Sequence, residues 1–255
     1  MTLLLSVAFF TLGAVAASFA GVLAARYHTG QSWVRGRSRC DACGKTLAPH
    51  TLLPIFSHLI SRGRARCCGA RLSGASPVAE ALLGALFVLA YLKLDLTLAL
   101  PFLLLALTML LALVLYDLAH QILPTAFLAV FGAAAAAAGF LQAASLDEFF
   151  TTFLLAALFA AFLLAIHFFS RGRAMGFADA PLVFGLALMG GATAFTGFVF
   201  SFWIGAVVGI ALLAGRLGGF RMNSEVPFAP FLAAGFILAY FTQWNILTLI
   251  EASLS

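Results

Sequence analysis

Charge is what this chain has least of. Only 9% of its 255 residues are Asp, Glu, Lys or Arg, and just 9 residues are acidic. Soluble domains are roughly 25% charged and about 45–50% apolar. With 64% hydrophobic residues and a mean hydropathy of +1.10, a soluble globular fold is excluded and an integral membrane protein is implied. A second lack is a basic segment ahead of the first apolar run, which a cleaved signal peptide carries. The N-terminal run therefore reads as a retained first span. No sustained internal repeat is present, which weakens the inverted-repeat architecture of many transporters. Cysteine is scarce too: there are four, all within residues 40–68.

What is present is apolar runs of about 20 residues, the length a helix needs to cross a hydrocarbon core of ~30 Å. They predict an all-α polytopic membrane protein with about eight transmembrane helices, near residues 3–24, 78–93, 97–116, 125–143, 148–169, 179–192, 195–215 and 229–249. The alanine run 133–138 offers close helix contact. Three regions are expected: a first transmembrane helix (1–25), a small cytoplasmic cysteine-containing loop domain (26–77), and a helical bundle (78–255). Nine of the 14 Lys and Arg lie in 26–71, and four more (Arg171, Arg173, Arg216, Arg221) fall in loops of the same side. Because basic loops stay cytoplasmic, the N-terminus is expected outside. Topology and anionic headgroups account for the net charge of +5 without a nucleic-acid partner.

Two of the few acids, Asp117 and Asp179, stand where an apolar span meets polar sequence. The predicted topology puts both on the cytoplasmic side, so they can meet. A poorly solvated carboxylate at a membrane is a functional hypothesis by default. Two held close together share one proton, so that one deprotonates a water while the other protonates the substrate oxygen. Asp117 is read at the C-terminal end of a helix, where the macrodipole disfavours it. Asp179 precedes Ala180-Pro181 and reads equally as an N-cap or as a carboxylate favoured by a helix start.

His120 lies three residues from Asp117 and is either its hydrogen-bond partner or an interfacial histidine satisfied by water. His167 reads as a packing or snorkelling residue. Glu80 follows Ser76-Pro77 and is either a favourable first-turn acid or a site residue. Cys40-Asp41-Ala42-Cys43 is a CxxC, and Cys67-Cys68 begins 24 residues beyond Cys43. Four thiolates can hold zinc tetrahedrally and fold a segment with little core; free thiols are the alternative. Disulfides do not suit a loop expected in the reducing cytosol.

With these residues in view, the chain resembles the type 4 prepilin peptidases, which are membrane aspartic proteases. Residues 117–124, an aspartate leading to Leu123-Pro124, are similar to the family's first catalytic motif. Gly176-Phe177-Ala178-Asp179 is similar to its GxGD. Ser18-Phe19 with Arg26 resembles the SF...R segment, Arg62-Gly63-Arg64 resembles RGRC, Ser76-Pro77-Val78-Ala79-Glu80 resembles YPxxE, and Val226-Pro227-Phe228-Ala229-Pro230-Phe231 resembles IPFGPF. The resemblance implies a peptidase of the bacterial inner membrane. It would cut the leader of type IV prepilins or pseudopilins at the cytoplasmic face, after a glycine, with Asp117 and Asp179 catalytic and Gly176, Ala178, Glu80 and His120 in support. It also implies N-methylation of the new terminus with S-adenosylmethionine, whereas zinc on Cys40, Cys43, Cys67 and Cys68 is expected from the four thiolates themselves, since the family's pattern is two CxxC pairs.

Departures from the pattern touch the tuning of the site. Ala178 replaces the second glycine of GxGD, and a positive φ there would cost on the order of 1 kcal/mol. Pro181 replaces a lysine, Thr125 an aspartate, Gly21 an asparagine and Ala65 a cysteine. Two rival readings stand beside the protease. A proton-coupled transporter would place its acids near the middle of spans, and an assembly protein that kept the fold would have no chemical reason to keep both aspartates.

Overall fold

Apolar helix formers leave little choice of secondary structure in lipid, because every backbone amide must find its partner within the segment. The structure is a computed structural model that describes residues 1–27, 29, 43–46, 64, 67–70, 74–215 and 227–245. Cys40, Arg62, Gly63, Ala65, Arg216, Arg221, Glu225 and Val226 lie outside the described residues, as do most of the 26–77 region and positions 246–249 of the last expected span.

Eight α-helices are described: α1 (Thr2–Arg26), α2 (Ala75–Leu94), α3 (Ala99–His120), α4 (Thr125–Gln142), α5 (Leu146–Ser170), α6 (Asp179–Gly190), α7 (Ala194–Gly215) and α8 (Ala229–Thr242), with a 3-10 turn, Gly191–Thr193, joining α6 to α7. Among the described residues there are no strands, only single bridge positions at Thr46 and Arg64. The all-α membrane class stands, but the expected count of eight spans is not confirmed. Among the described residues six stretches are long and apolar enough to cross a membrane, because α6 and α7 fall within the single stretch Asp179–Leu212 and α8 has only 14 residues. At 12 residues, α6 is about 18 Å long, well short of the ~30 Å core. It does not need that length, since ten of its residues are buried in protein.

The chain divides into two units, Met1–Leu96 and Thr97–Ser255. In the first, α1 and α2 run antiparallel. Phe9 stacks on Tyr91 with ring centroids 4.8 Å apart, and the backbones meet at glycines: a Cβ on Gly13 would lie 2.7 Å from Leu83 O, and one on Gly84 2.9 Å from Phe10 O. Lipid tails are as apolar as leucine, so close backbone contact and interhelical hydrogen bonds must hold such helices together.

In the second unit α6 is the hub, touching α4, α5, α7 and α8, while α3 lies along α4 and reaches α8. Small residues again set the approach. A Cβ on Gly139 of α4 would run into the carbonyl oxygen of Leu188 on α6, and one on Gly197 of α7 would lie 2.9 Å from Phe236 Cα on α8. Ser201 Oγ of α7 sits 2.8 Å from Gly197 O and 3.2 Å from Leu232 O, a hydroxyl shared between α7 and α8. Tyr240 OH donates to Gln142 Oε1 at 2.6 Å, tying the far ends of α8 and α4. Helix α5 starts on a cap like a capping box, displaced by one residue: Ser145 Oγ accepts the Glu148 N–H (3.1 Å), and Glu148 Oε2 reaches back to the N–H of Ala144, one residue before the N-cap (2.8 Å).

Two glycines on α4 test this packing. Gly139→Ala is expected to lower stability by about 1–3 kcal/mol, read as a lower unfolding midpoint in detergent, because the new methyl meets backbone that cannot yield. Gly132→Ala, where a Cβ meets no atom of the described residues within 4 Å, is expected to be neutral or mildly stabilising. Equal effects of the two substitutions would contradict the α4–α6 contact.

Candidate active site

Asp117 lies in the last turn of α3. Gln121 ends the helix in the left-handed region (φ 55°), its N–H donating to Asp117 O at 2.8 Å. Leu123 and Pro124 are buried beyond it, and Pro124 leads the chain into α4. The Asp117 side chain is 6% exposed. Its Oδ2 is buried with no hydrogen-bond partner among the described residues. The carboxylate takes the backbone N–H of Ala229, the first residue of α8 and one of the donors that a helix start leaves unmet. An acid at the unfavourable end of its own helix therefore faces the favourable end of another. Pro230 follows at a position where a helix needs no N–H, so residues 227–231 serve to aim a helix start at Asp117.

Asp179, 7% exposed, is the first residue of α6. Its Oδ2 accepts the Gly176 N–H at 3.0 Å. A Cβ on Gly176 would lie 3.3 Å from that same oxygen, so glycine leaves the space in which the carboxylate sits. Ala178 has φ −74° and ψ −12°, ordinary right-handed geometry, so the penalty considered for this departure from GxGD does not arise. Pro181 is exposed in the first turn of α6, where its missing N–H removes no intrahelical bond. The two carboxylates are close enough for the charge of Asp117 to act on Asp179.

Of the other candidates, His120 is exposed and sets its ring against Tyr116, centroids 4.4 Å apart. Glu80 is buried in the first unit, and Ser76 Oγ donates to its Oε1 at 3.2 Å. Also in that unit the fold gathers Cys43, Cys67 and Cys68, whose sulfurs all lie within 4.8 Å of one another. Cys43 Sγ is 3.3 Å from Cys67 Sγ, which is 3.9 Å from Cys68 Sγ. Tetrahedral zinc with Zn–S near ~2.3 Å needs sulfurs about 3.8 Å apart, so this cluster can hold a metal ion and the adjacent pair Cys67-Cys68 does not prevent it. Gly44 and Gly69, at φ +70° and +71°, turn the chain immediately after Cys43 and Cys68 in a conformation open to glycine. Cys40, the fourth expected ligand, lies outside the described residues.

The rarity of acids singles out both aspartates in the sequence, but not the groups that meet them. The Ala229 amide had a signal in the proline-flanked start of α8. The contact of His167 Nδ1 with Met175 O, 2.9 Å, had none, because nothing in residue spacing tells a packing histidine from one that grips a loop carbonyl.

Fold and site together define a polytopic helical membrane protein with two interacting, buried aspartates at helix ends. The chain belongs to the type 4 prepilin peptidase family. Its residues 11–94 match the family described as the bacterial peptidase A24 N-terminal domain. It is 32% identical over 237 residues to the prepilin leader peptidase/N-methyltransferase of Bacillus subtilis (strain 168), covering 91% of this chain and 92% of that protein. To the protein of the same name in Myxococcus xanthus (strain DK1622) it is 40% identical over 121 residues, 48% of this chain and 36% of that one. No solved structure matches the chain.

The geometry at residue 178 makes a counterintuitive prediction. Restoring the family's glycine with Ala178→Gly is expected to lower stability by about 0.5–1 kcal/mol, since glycine adds unfolded-state freedom and relieves no strain. A raised unfolding midpoint would show that Ala178 is strained after all.

Proposed function

We propose that this chain is a membrane aspartic endopeptidase that removes the leader peptide of type IV prepilins or pseudopilins, with Asp117 and Asp179 as its catalytic pair. The observation that carries the reading is the pair itself: two buried, interacting carboxylates, one with an oxygen lacking any partner among the described residues. Both relatives bear names with this activity. Two such carboxylates cannot both ionise easily, so the pair holds one proton. The ionised member takes a proton from a water as its oxygen attacks the scissile carbonyl carbon, while the protonated member gives its proton to the carbonyl oxygen. Collapse of the tetrahedral intermediate breaks the C–N bond as the departing amine takes a proton from the pair, and one hydroxyl of the intermediate returns a proton to the pair as it becomes the new carbonyl. The backbone donors at Gly176 and Ala229 fix the two carboxylates without adding a competing charge.

In this reading the enzyme sits in the bacterial inner membrane with its N-terminus outside and the pair at the cytoplasmic face, where the basic loops are. Residues 1–25 form its first span, 26–77 its cytoplasmic cysteine domain and 78–255 its catalytic bundle, with Glu80, Gly176, Ala178 and His120 in support. Acids in the last turn of α3 and the first residue of α6 fit a protease at a membrane face better than a relay at mid-span. Cys40, Cys43, Cys67 and Cys68 would hold a structural zinc, which supplies folding energy to a segment with little core. Methylation of the new N-terminus, the second activity in the relatives' names, would use S-adenosylmethionine; the described residues define no place for it.

Co-expression with a prepilin tests the pair. Asp117→Asn and Asp179→Asn are each expected to slow leader removal by at least about a hundredfold, seen as loss of the gel shift. Normal processing by either variant would end the aspartyl reading. For the cysteines, purified protein is expected to carry about one zinc per chain, lost in Cys67→Ser along with part of the thermal stability. A wild-type protein without zinc would leave them as free thiols.

A further inference from the structure

We propose that His167 is a positioning residue for Asp179, acting through the one peptide unit that joins Met175 to Gly176. The inference rests on the reading of Asp179 as half of the proteolytic pair. His167 lies in the last turn of α5, half-buried, and its Nδ1 is 2.9 Å from Met175 O. A carbonyl only accepts, so Nδ1 carries the hydrogen and donates it. On the other side of the same peptide, the Gly176 N–H donates to Asp179 Oδ2 at 3.0 Å. A trans peptide is planar, with its C=O and N–H pointing in opposite directions. Fixing the Met175 oxygen therefore fixes where the Gly176 hydrogen points. A donor on that carbonyl also polarises the peptide and strengthens the bond its N–H makes.

The rest of the loop is arranged around the same helix end. Arg171 and Gly172 take left-handed backbone (φ 53° and 76°), the Gly172 N–H donates to His167 O at 2.8 Å, and the Ala174 N–H donates to Ser170 Oγ at 3.2 Å. Met175 is buried and anchors one end of this peptide, whereas Gly176 and Phe177 are exposed, so no side chain beyond Met175 holds its other end and the two hydrogen bonds set its rotation. The competing account is that His167 is a packing residue, because its ring also meets Phe168 and Phe177 edge-on, with centroids 5.5 and 5.8 Å apart.

Two substitutions separate the accounts. His167→Phe keeps a ring and removes the donor, whereas His167→Asn keeps a donor near the Nδ1 position and removes the ring. With the full-length protein in detergent and a prepilin substrate, positioning predicts that His167→Phe lowers kcat about ten- to hundredfold with KM within twofold, the size of effect expected when a reacting group is misplaced by a fraction of an ångström to 1 Å. It also predicts faster amide exchange over residues 171–179. His167→Asn should stay within about threefold of wild type in both readouts. The reverse pattern, with Phe active and Asn impaired, would overturn the proposal, as would unchanged exchange or unchanged kcat in His167→Phe. If His167→Phe does not accumulate, His167→Leu against His167→Asn makes the same comparison, since both side chains branch alike and only one donates. Asp179→Asn run in parallel keeps the two readings apart: if it cleaves like wild type, the proteolytic reading fails, while amide exchange still decides whether His167 holds the peptide.

Discussion

A carboxylate buried among apolar helices must be met by donors that bring no countercharge, and the second unit is built around that requirement. Asp117 and Asp179 are each almost fully buried, and each receives a backbone N–H from outside its own helical ladder, from Ala229 and Gly176 respectively. A lysine or arginine in either place would neutralise the acid and abolish its use as a proton carrier. An amide leaves the carboxylate free to exchange a proton, and helix starts are where unmet amides are found. The placement of α8 against α3, and of the 171–178 loop against α6, follows from this need as much as from apolar packing.

The short central helix is the second consequence. With 12 residues, α6 could not span a bilayer alone, yet its neighbours cover it and glycines bring α4 within backbone contact. Asp179 is thereby carried on an element held from several sides, a better support for a reacting group than a loop. The loop before it has less packing of its own, and the hydrogen bonds from α5 through His167 and Ser170 make up the difference.

Departures from the family's motifs look different in this light. Ala178 stands in for a glycine at no conformational cost, because the backbone there is right-handed helical. Gly176 keeps its identity because a side chain would crowd the Asp179 oxygen. Of the two glycine positions in GxGD, the structure makes demands on the first. The cysteine cluster follows the same logic: spacing makes Cys67-Cys68 an awkward substitute for a CxxC, yet the fold draws both sulfurs to Cys43.

Composition alone determined the membrane class, because nothing else places so many apolar residues beside so few charges, and lipid then admits only helices in which each segment meets its own backbone needs. Helix positions were legible for the same reason, and the two aspartates stood out because acids are rare where solvation is poor. The number of spans was not legible, since a run of apolar residues does not say whether lipid or protein covers it, and α6 is covered by protein. Nor was the environment of Asp117, which its own helix makes unfavourable. Only the tertiary structure turns the start of α8, more than a hundred residues away in sequence, toward that carboxylate, because a hydrogen bond depends on where two atoms lie in space and residue spacing records only how far apart they lie along the chain.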